Sequence, residues 1–442
     1  MSINGSTVAV YRTGSFAAVI PFSTGSFAIV ARMDSDGFST ETVRNIFVSE
    51  ISTSVPAPLP DPKLLTSART VTVEVSTAEA ILKTGPSVGS DTMAYDLFLP
   101  EGVRMRSQGS QNGEIRLKLS ESEIFWGDER HFKVLPDSAP LPAAILGNIR
   151  SQNRDRSFVM YLDLSDRIPF RAEPSTDLMS LKIRLYSTVA NVDRVRLDTS
   201  GKESFGDEIR WSQPAGDIAE VLCRVKKKIW AYELRYEGGR LACEIFFVPG
   251  TGKFGKPLAG TVMAVDAGHS PQAGDGAVSP QGFTEGDVNF QVSECLKTKL
   301  EGMGAQVFMT REKGEAVSLP ERVRRSAKAG ADLLVSVHAN AVPDGSDPLA
   351  RKGYSVFYFH PMSLSLARAV HGAFPKQTGM EDDGLSYGNL AVCRSPRFPA
   401  ILVETGYLIR PDEEELLIDR AFQCRAADGI ARGIAEFVRT YR

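Results

Sequence analysis

The sequence predicts a multidomain protein in which all-β modules are followed by a C-terminal α/β domain with a mainly parallel sheet flanked by helices. Three observations carry this expectation. At 442 residues the chain exceeds one hydrophobic core, given about 150 residues per domain. Up to about residue 250 apolar positions alternate with polar ones, whereas beyond it strand-like runs alternate with helical ones. Prolines and glycines cluster at 56–62 and 250–257, where they favour extended spacers over packed structure. The domains expected are a β-rich segment with its Pro-rich linker (1–65), a small β-barrel (66–138), a second β-rich unit (146–250) and an α/β domain (258–442).

Composition excludes some function classes. A net charge of −3, with 42% apolar and 24% charged residues, is that of an ordinary globular protein and implies no nucleic-acid or membrane-surface partner. No apolar run approaches the roughly 18 residues of a bilayer-spanning helix. The start, Met1-Ser2-Ile3-Asn4-Gly5, lacks a basic stretch followed by an apolar core, so no secretory signal peptide is read. Five widely spaced cysteines without a CxxC pair suggest neither a disulfide framework nor a thiolate metal site, and are read as small buried apolar residues.

The β-rich part is justified segment by segment. Thr13-Gly14-Ser15-Phe16-Ala17 recurs as Thr24-Gly25-Ser26-Phe27-Ala28, which reads as two adjacent strands. Val71, Val73 and Val75, and again Ile115, Leu117 and Leu119, alternate with polar residues as half-buried strands do. With Leu82-Lys83-Thr84-Gly85-Pro86-Ser87, Leu99-Pro100-Glu101-Gly102 and Ile124-Phe125-Trp126-Gly127 between and after them, residues 67–137 resemble a bacterial SH3-like barrel. In the second unit Phe158, Met160, Leu162 and Leu164 mark one strand. Leu181, Ile183 and Leu185 mark another, and Glu237-Gly238-Gly239-Arg240 a hairpin. Trp211, Trp230, Tyr232 and Tyr236 read either as a sugar-stacking face or, more commonly for such sheets, as packing. Lys226-Lys227-Lys228 reads as a solvated strand edge.

In the α/β part, strands are expected at 261–266, 306–310, 332–338, 354–359 and 400–404. Helices are expected at 285–301, 319–329, 363–374 and from 413 onward. Functional groups in open α/β sheets collect beyond the carboxyl ends of strands. His269 lies just past the first strand, His338 closes the third, Glu404 ends the last, and Glu285 opens the first helix. Two imidazoles and one carboxylate, leaving a position for water, form the usual layout of a catalytic zinc. Such an ion acidifies water and polarises a carbonyl, while a carboxylate that is not a ligand, here Glu404, could carry the proton to an amine leaving group. Asp266 and Asn340 are candidate partners for the histidines' other ring nitrogens. His360 reads as a polar strand terminus, and His371 and His131 as surface residues. The acidic run Asp412-Glu413-Glu414-Glu415 reads as the first turn of a helix.

Residues 258–442 resemble the zinc-dependent N-acetylmuramoyl-L-alanine amidases. The resemblance rests on Val265-Asp266-Ala267-Gly268-His269, Gly282-Phe283-Thr284-Glu285-Gly286-Asp287-Val288-Asn289, Thr310-Arg311, Ser336-Val337-His338-Ala339-Asn340-Ala341 and Ile401-Leu402-Val403-Glu404-Thr405-Gly406-Tyr407-Leu408. It implies that His269, Glu285 and His338 hold one zinc ion and that Glu404 is the catalytic acid/base. It also implies that the substrate is the peptidoglycan amide joining N-acetylmuramic acid to L-alanine. The family usually has proline where Ala267 stands and lysine or a similar residue where Gly286 stands; neither position supplies a ligand or a proton. The stretch 341–352 is too short for the long autoinhibitory helix that some members insert there, so an open site is expected.

The 146–250 unit resembles accessory β-domains of cell-wall amidases, which suggests an envelope protein partner for the β-rich modules. Location in the periplasm, envelope or outside the cell follows from the substrate alone. Two alternatives stay open: a catalytically weak peptidoglycan-binding or regulatory protein, and a zinc carboxypeptidase-like peptidase. The second would need a basic residue for a terminal carboxylate, for which Arg311 and Arg394 are candidates.

Overall fold

A computed structural model describes residues 1–21, 25–35, 38–48, 70–86, 95–200, 204–250, 256–272, 275–343 and 346–441. The expected spacer at 56–62 lies outside the described residues, as does 251–255 of the second one. The chain divides into two compact units, Ser54–Val248 on one side and Met1–Thr53 with Pro249–Arg442 on the other.

The Ser54–Val248 unit is built of antiparallel ladders with two short parallel pairings. A seven-stranded sheet runs from Val71–Val75 to Phe132–Val134, and Val73, Val75, Leu82, Leu117 and Phe125 point into its core. Residues 144–246 form a six-stranded and a four-stranded sheet. Leu181, Ile183 and Leu185 are buried there while Lys182 and Arg184 are not, which is the expected period of two. The hairpin forms at Gly238-Gly239, with Glu237 opposite Arg240. Trp230 and Tyr232 are core, and Trp211 is 41% exposed. Lys226, Lys227 and Lys228 are exposed but lie in the loop after Ile218–Val225 rather than on a strand edge.

In the other unit the expected strand over 13–17 is absent. A tight turn replaces it, with Gly14 at φ +85° and Tyr11 N–H donating to the Ser15 carbonyl. The buried Ser15 hydroxyl then donates to Glu414 Oε2 at 2.7 Å. The second copy of the motif does enter a strand, Gly25–Ser35, which pairs along its length with Phe38–Val48.

The α/β domain contains strands β1 (Val262–Ala267), β2 (Gln306–Met309), β3 (Leu333–Asn340), β4 (Tyr354–Tyr358), β5 (Asp382–Tyr387) and β6 (Ala400–Tyr407). Its helices are α1 (Glu285–Gly302), α2 (Leu319–Lys328), α3 (Pro361–Thr378), α4 (Pro411–Leu417) and α5 (Arg420–Thr440). The sheet order is β2-β1-β3-β6-β4-β5. All neighbours run parallel except β4 and β6, so the sheet is mixed, and β5 is a strand the apolar pattern did not reveal. β1, β3 and β6 are almost wholly buried, as expected of strands covered on both faces. Helices α1, α3 and α5 pack together over one face. On the other face α2 and the 390–398 segment enclose Ala264, Leu334, Leu402, Phe398 and Cys393.

Helix boundaries follow local chemistry. Thr284 caps α1 by accepting from Asp287 N–H, Asp419 caps α5 by accepting from Ala421 and Phe422, and α3 ends at Gly379 in the left-handed region. The single C-terminal helix expected from 413 is split in two because Asp419 starts a new one.

The reading of the cysteines is corrected in this domain. Cys295 of α1 and Cys424 of α5 form a disulfide, because packing of the two helices brings positions 129 residues apart to a Cα separation of 5.2 Å. Cys223, Cys243 and Cys393 are free and buried, as read from the sequence. The acidic run opens α4, as read from the sequence, and two of its carboxylates, Glu413 and Glu414, are buried. Glu413 accepts from the backbone N–H groups of Gly353 and Tyr407, which would otherwise be buried donors without acceptors, and Glu414 accepts from that of the exposed Gln281.

Candidate metal centre

The carboxyl ends of three neighbouring strands, β1, β3 and β6, and the first residue of α1 meet at one rim of the sheet. His269 follows β1 by two residues in the left-handed region, φ +56°, which is sparsely populated for a residue with a side chain. Its backbone is held there because Arg322 Nη2 donates to the His269 carbonyl at 2.8 Å. Gly268, just before it, supports the next residue of the site, since a Cβ at Gly268 would lie 2.3 Å from the His338 ring. His338 ends the buried run of β3, and in the β3–β6 register its partner is Glu404. Glu285 is placed by the Thr284 cap and by Ala277, whose N–H donates to Glu285 Oε2 at 2.9 Å.

The four side chains named from the sequence therefore reach one rim, and three converge tightly. Ligand atoms of His269, Glu285 and His338 all lie within 4.8 Å of one another. His269 Nε2 is 3.4 Å from Glu285 Oε2, and His338 Nδ1 is 3.1 Å from Glu285 Oε1. Donor atoms bound to one tetrahedral ion at ~2.0–2.1 Å sit about 3.3 Å apart, so the cluster has the dimensions of a mononuclear site. The two rings stand nearly perpendicular, at 81°, which lets both direct a nitrogen at one point without stacking.

Electrostatics separate the two glutamates. Burial opposes ionisation of Glu285, but the hydrogen bond and charge of His338, the charge of His269 and the Ala277 N–H outweigh it and hold the carboxyl at about 2. Glu404 has burial without those donors. Its Oε2 is sealed from solvent with no hydrogen-bond partner among the described residues, and burial, opposed by the charge of His338, pushes its carboxyl up to about 7. Two carboxylates whose environments drive their affinities for a proton apart is the pattern of a ligand beside a proton carrier.

Sequence reasoning misplaced the partners of the histidines. Asp266 is fully buried and serves Arg322 Nη1 at 2.9 Å and the Ser336 hydroxyl at 2.6 Å, not an imidazole. Asn340 Oδ1 accepts from the neighbouring Ala341 N–H. The residue missed is Asp275, whose Oδ1 accepts from His269 Nδ1 at 2.7 Å; in sequence Asp275-Gly276 reads only as a turn. Arg311 is spent on protein carbonyls, those of Ala267 and Gly286, and Arg394 on Asn389.

The remaining histidines stay outside the cluster. His360 caps α3 and lies 2.5 Å from the Arg394 carbonyl. His131 and His371 are half-buried rather than on the surface, and His371 Nε2 pairs with Asp382 at 2.8 Å.

A cleft of about 380 Å³ opens beside the cluster, walled by 316–319 and floored by Gly268, His269 and His338. No helix occurs among the described residues of 341–352.

Residues 263–436 match the family described as N-acetylmuramoyl-L-alanine amidase. The chain is similar to N-acetylmuramoyl-L-alanine amidase LytC of Bacillus subtilis, 29% identical over 183 residues that cover 41% of this chain and 36% of LytC. It is also similar to N-acetylmuramoyl-L-alanine amidase AmiC of Neisseria meningitidis, 30% identical over 234 residues that cover 43% of this chain and 55% of AmiC. The chain thus spans about a third to just over half the length of these curated relatives. Among solved structures, it is similar to the catalytic domain of CwlV, an N-acetylmuramoyl-L-alanine amidase from Bacillus (Paenibacillus) polymyxa var. colistinus. There the identity is 35% and the TM-score 0.38, with 40% of this chain and 98% of that one covered.

Proposed function

We propose, from the match of residues 263–436 to the N-acetylmuramoyl-L-alanine amidase family, that this chain hydrolyses the amide between N-acetylmuramic acid and L-alanine in peptidoglycan. One observation carries the proposal: His269, Glu285 and His338 converge within 4.8 Å beside Glu404, whose Oε2 is sealed from solvent with no partner among the described residues.

We assign His269, Glu285 and His338 as ligands of one zinc ion and Glu404 as the proton carrier. The donor set fits zinc, since two neutral imidazoles and one carboxylate leave the ion a net positive charge. When bound, zinc lowers the pKa of water and polarises a carbonyl. Glu404, raised to about 7 by burial, can take a proton near neutrality and return it to the nitrogen that leaves. Arg322 and Arg311 hold the carbonyls of Ala267, His269 and Gly286, so the ligand-bearing turns are rigid before substrate arrives. The 316–319 wall faces the same cleft and is positioned to contact the peptide or sugar flanking the bond.

The peptidase alternative draws no support from this geometry, because the donors of Arg311 and Arg394 are engaged by the protein. Around the catalytic domain we read the 71–134 sheet as an SH3-like attachment module and 144–246 as an accessory domain able to engage an envelope protein. The site of action is the periplasm, the envelope or the cell exterior, where the substrate lies. The assignment is tested by metal analysis of two variants. Glu285→Ala is expected to lose zinc, while Glu404→Ala keeps zinc and loses turnover; retained turnover in the second removes Glu404 as proton carrier.

A further inference from the structure

We propose that residues 275–277 form a positioning strap for the metal ligands, with Asp275 setting the ring of His269 and Ala277 setting the carboxylate of Glu285. The inference rests on the amidase reading, because the ion these ligands would hold is the zinc assigned there.

Asp275 is fixed from two sides. Its Oδ1 accepts from His269 Nδ1 at 2.7 Å, and its Oδ2 accepts from the Ser270 N–H at 2.8 Å and the Ser270 hydroxyl at 2.7 Å. A carboxylate can only accept, so an N–H of His269 is held on Nδ1, and Nε2 is the ring nitrogen that faces Glu285. A ligating histidine whose other N–H is held by a carboxylate is both oriented and more basic.

The strap reaches the second ligand through its backbone. Ala277 N–H donates to Glu285 Oε2 at 2.9 Å, and the Ala277 carbonyl accepts from Glu285 N–H at 2.8 Å. Between the two contacts lies Gly276, with φ +89°. A Cβ there would stand 2.8 Å from Glu285 Oε2 and 2.8 Å from His269 Cγ, so the chain passes against both ligands at a distance only glycine allows. Three consecutive residues thus fix the separation of an imidazole and a carboxylate that come from different elements. Asp275 is a positioning residue, acting through His269.

The test measures Zn²⁺ affinity of the full chain by competition with a chromophoric chelator. Asp275→Ala is expected to weaken binding by roughly 10- to 100-fold, and added zinc should restore most of the turnover. Gly276→Ala is expected to weaken binding at least as much. Ser270→Ala, which removes one of the two hydrogen bonds to Asp275 Oδ2, should act in the same direction by less. Nitrogen NMR of the zinc-loaded protein supplies a signature that a merely structural role would not move: the His269 Nδ1 proton is protected from exchange with water in the parent and loses that protection in Asp275→Ala. Thermal unfolding of metal-free Asp275→Ala should match the parent, which separates positioning from folding. If His269→Ala loses zinc while Asp275→Ala binds as tightly as the parent, the strap is overturned. If the parent binds no zinc, the metal assignment falls, and the strap with it.

Discussion

His338 and Glu404 are direct partners in the register of two neighbouring parallel strands, β3 and β6, in the carboxyl halves of both. The pairing places an imidazole that faces Glu285 beside a carboxylate that does not share its hydrogen bonds. Each charge acts on the other: Glu404 helps raise the His338 imidazole against its burial, and His338 holds down the Glu404 carboxyl against its own.

From this follows the outcome for Glu404→Gln, which keeps the shape of the side chain and removes its ability to carry a proton. Zinc content by elemental analysis should equal that of the parent, while kcat should fall by roughly 10²- to 10⁴-fold. Loss of zinc together with turnover would make Glu404 a part of the metal site instead.

The pH profile follows from the same group. Glu404 must be ionised to accept a proton, and burial raises its carboxyl to about 7. A cation held beside it pulls that value down, so kcat/KM should fall toward acid along a limb centred at or below about pH 7. The limb should vanish from the residual activity of Glu404→Gln. Persistence of the same limb in that variant would assign it to another group.

Beneath the site, Asp266 and Arg322 form a fully buried ion pair, and Asp266 also accepts from Ser336. Asp266→Asn leaves the Arg322 charge uncompensated and is expected to cost about 3–5 kcal/mol in denaturant unfolding. Burial raises the Asp266 carboxyl, but the charge of Arg322 and the hydrogen bonds outweigh it, so its folded value lies below the ordinary one. Its contribution is therefore complete above the unfolded value of about 3.9 and is lost as pH falls through the lower folded value. In the Asn variant that part of the acid destabilisation should be missing.

The Cys295–Cys424 disulfide closes a loop of 129 residues between α1 and α5. Cys295→Ser with Cys424→Ser should lower stability by about 2–4 kcal/mol without lowering zinc content. Thiol titration of the unreduced, unfolded parent should find Cys223, Cys243 and Cys393, and reduction should release two more.

Much of the site was legible because its residues stand at strand and helix ends that the apolar pattern marks. His269, His338 and Glu404 each follow a buried run, and Glu285 follows the capping residue Thr284. What escaped depends on contacts that no local pattern carries. Asp275 is a turn residue until the fold brings His269 Nδ1 to 2.7 Å. Cys295 and Cys424 are separated by most of the domain, and only the packing of α1 on α5 unites them. Strand β5, Asp382–Tyr387, carries two aspartates and a glycine in an edge position and shows no apolar run to read. Ser15 was read within a strand, but its hydroxyl belongs to Glu414, 399 positions away.

The most direct test of the central claim is mass spectrometry of the soluble products from purified sacculi digested by the full chain with and without a chelator. Free stem peptides beginning at L-alanine, released only when metal is present, are the result expected of a zinc-dependent amidase. Shortened peptides that still bear sugar, or release that a chelator leaves unchanged, would contradict it.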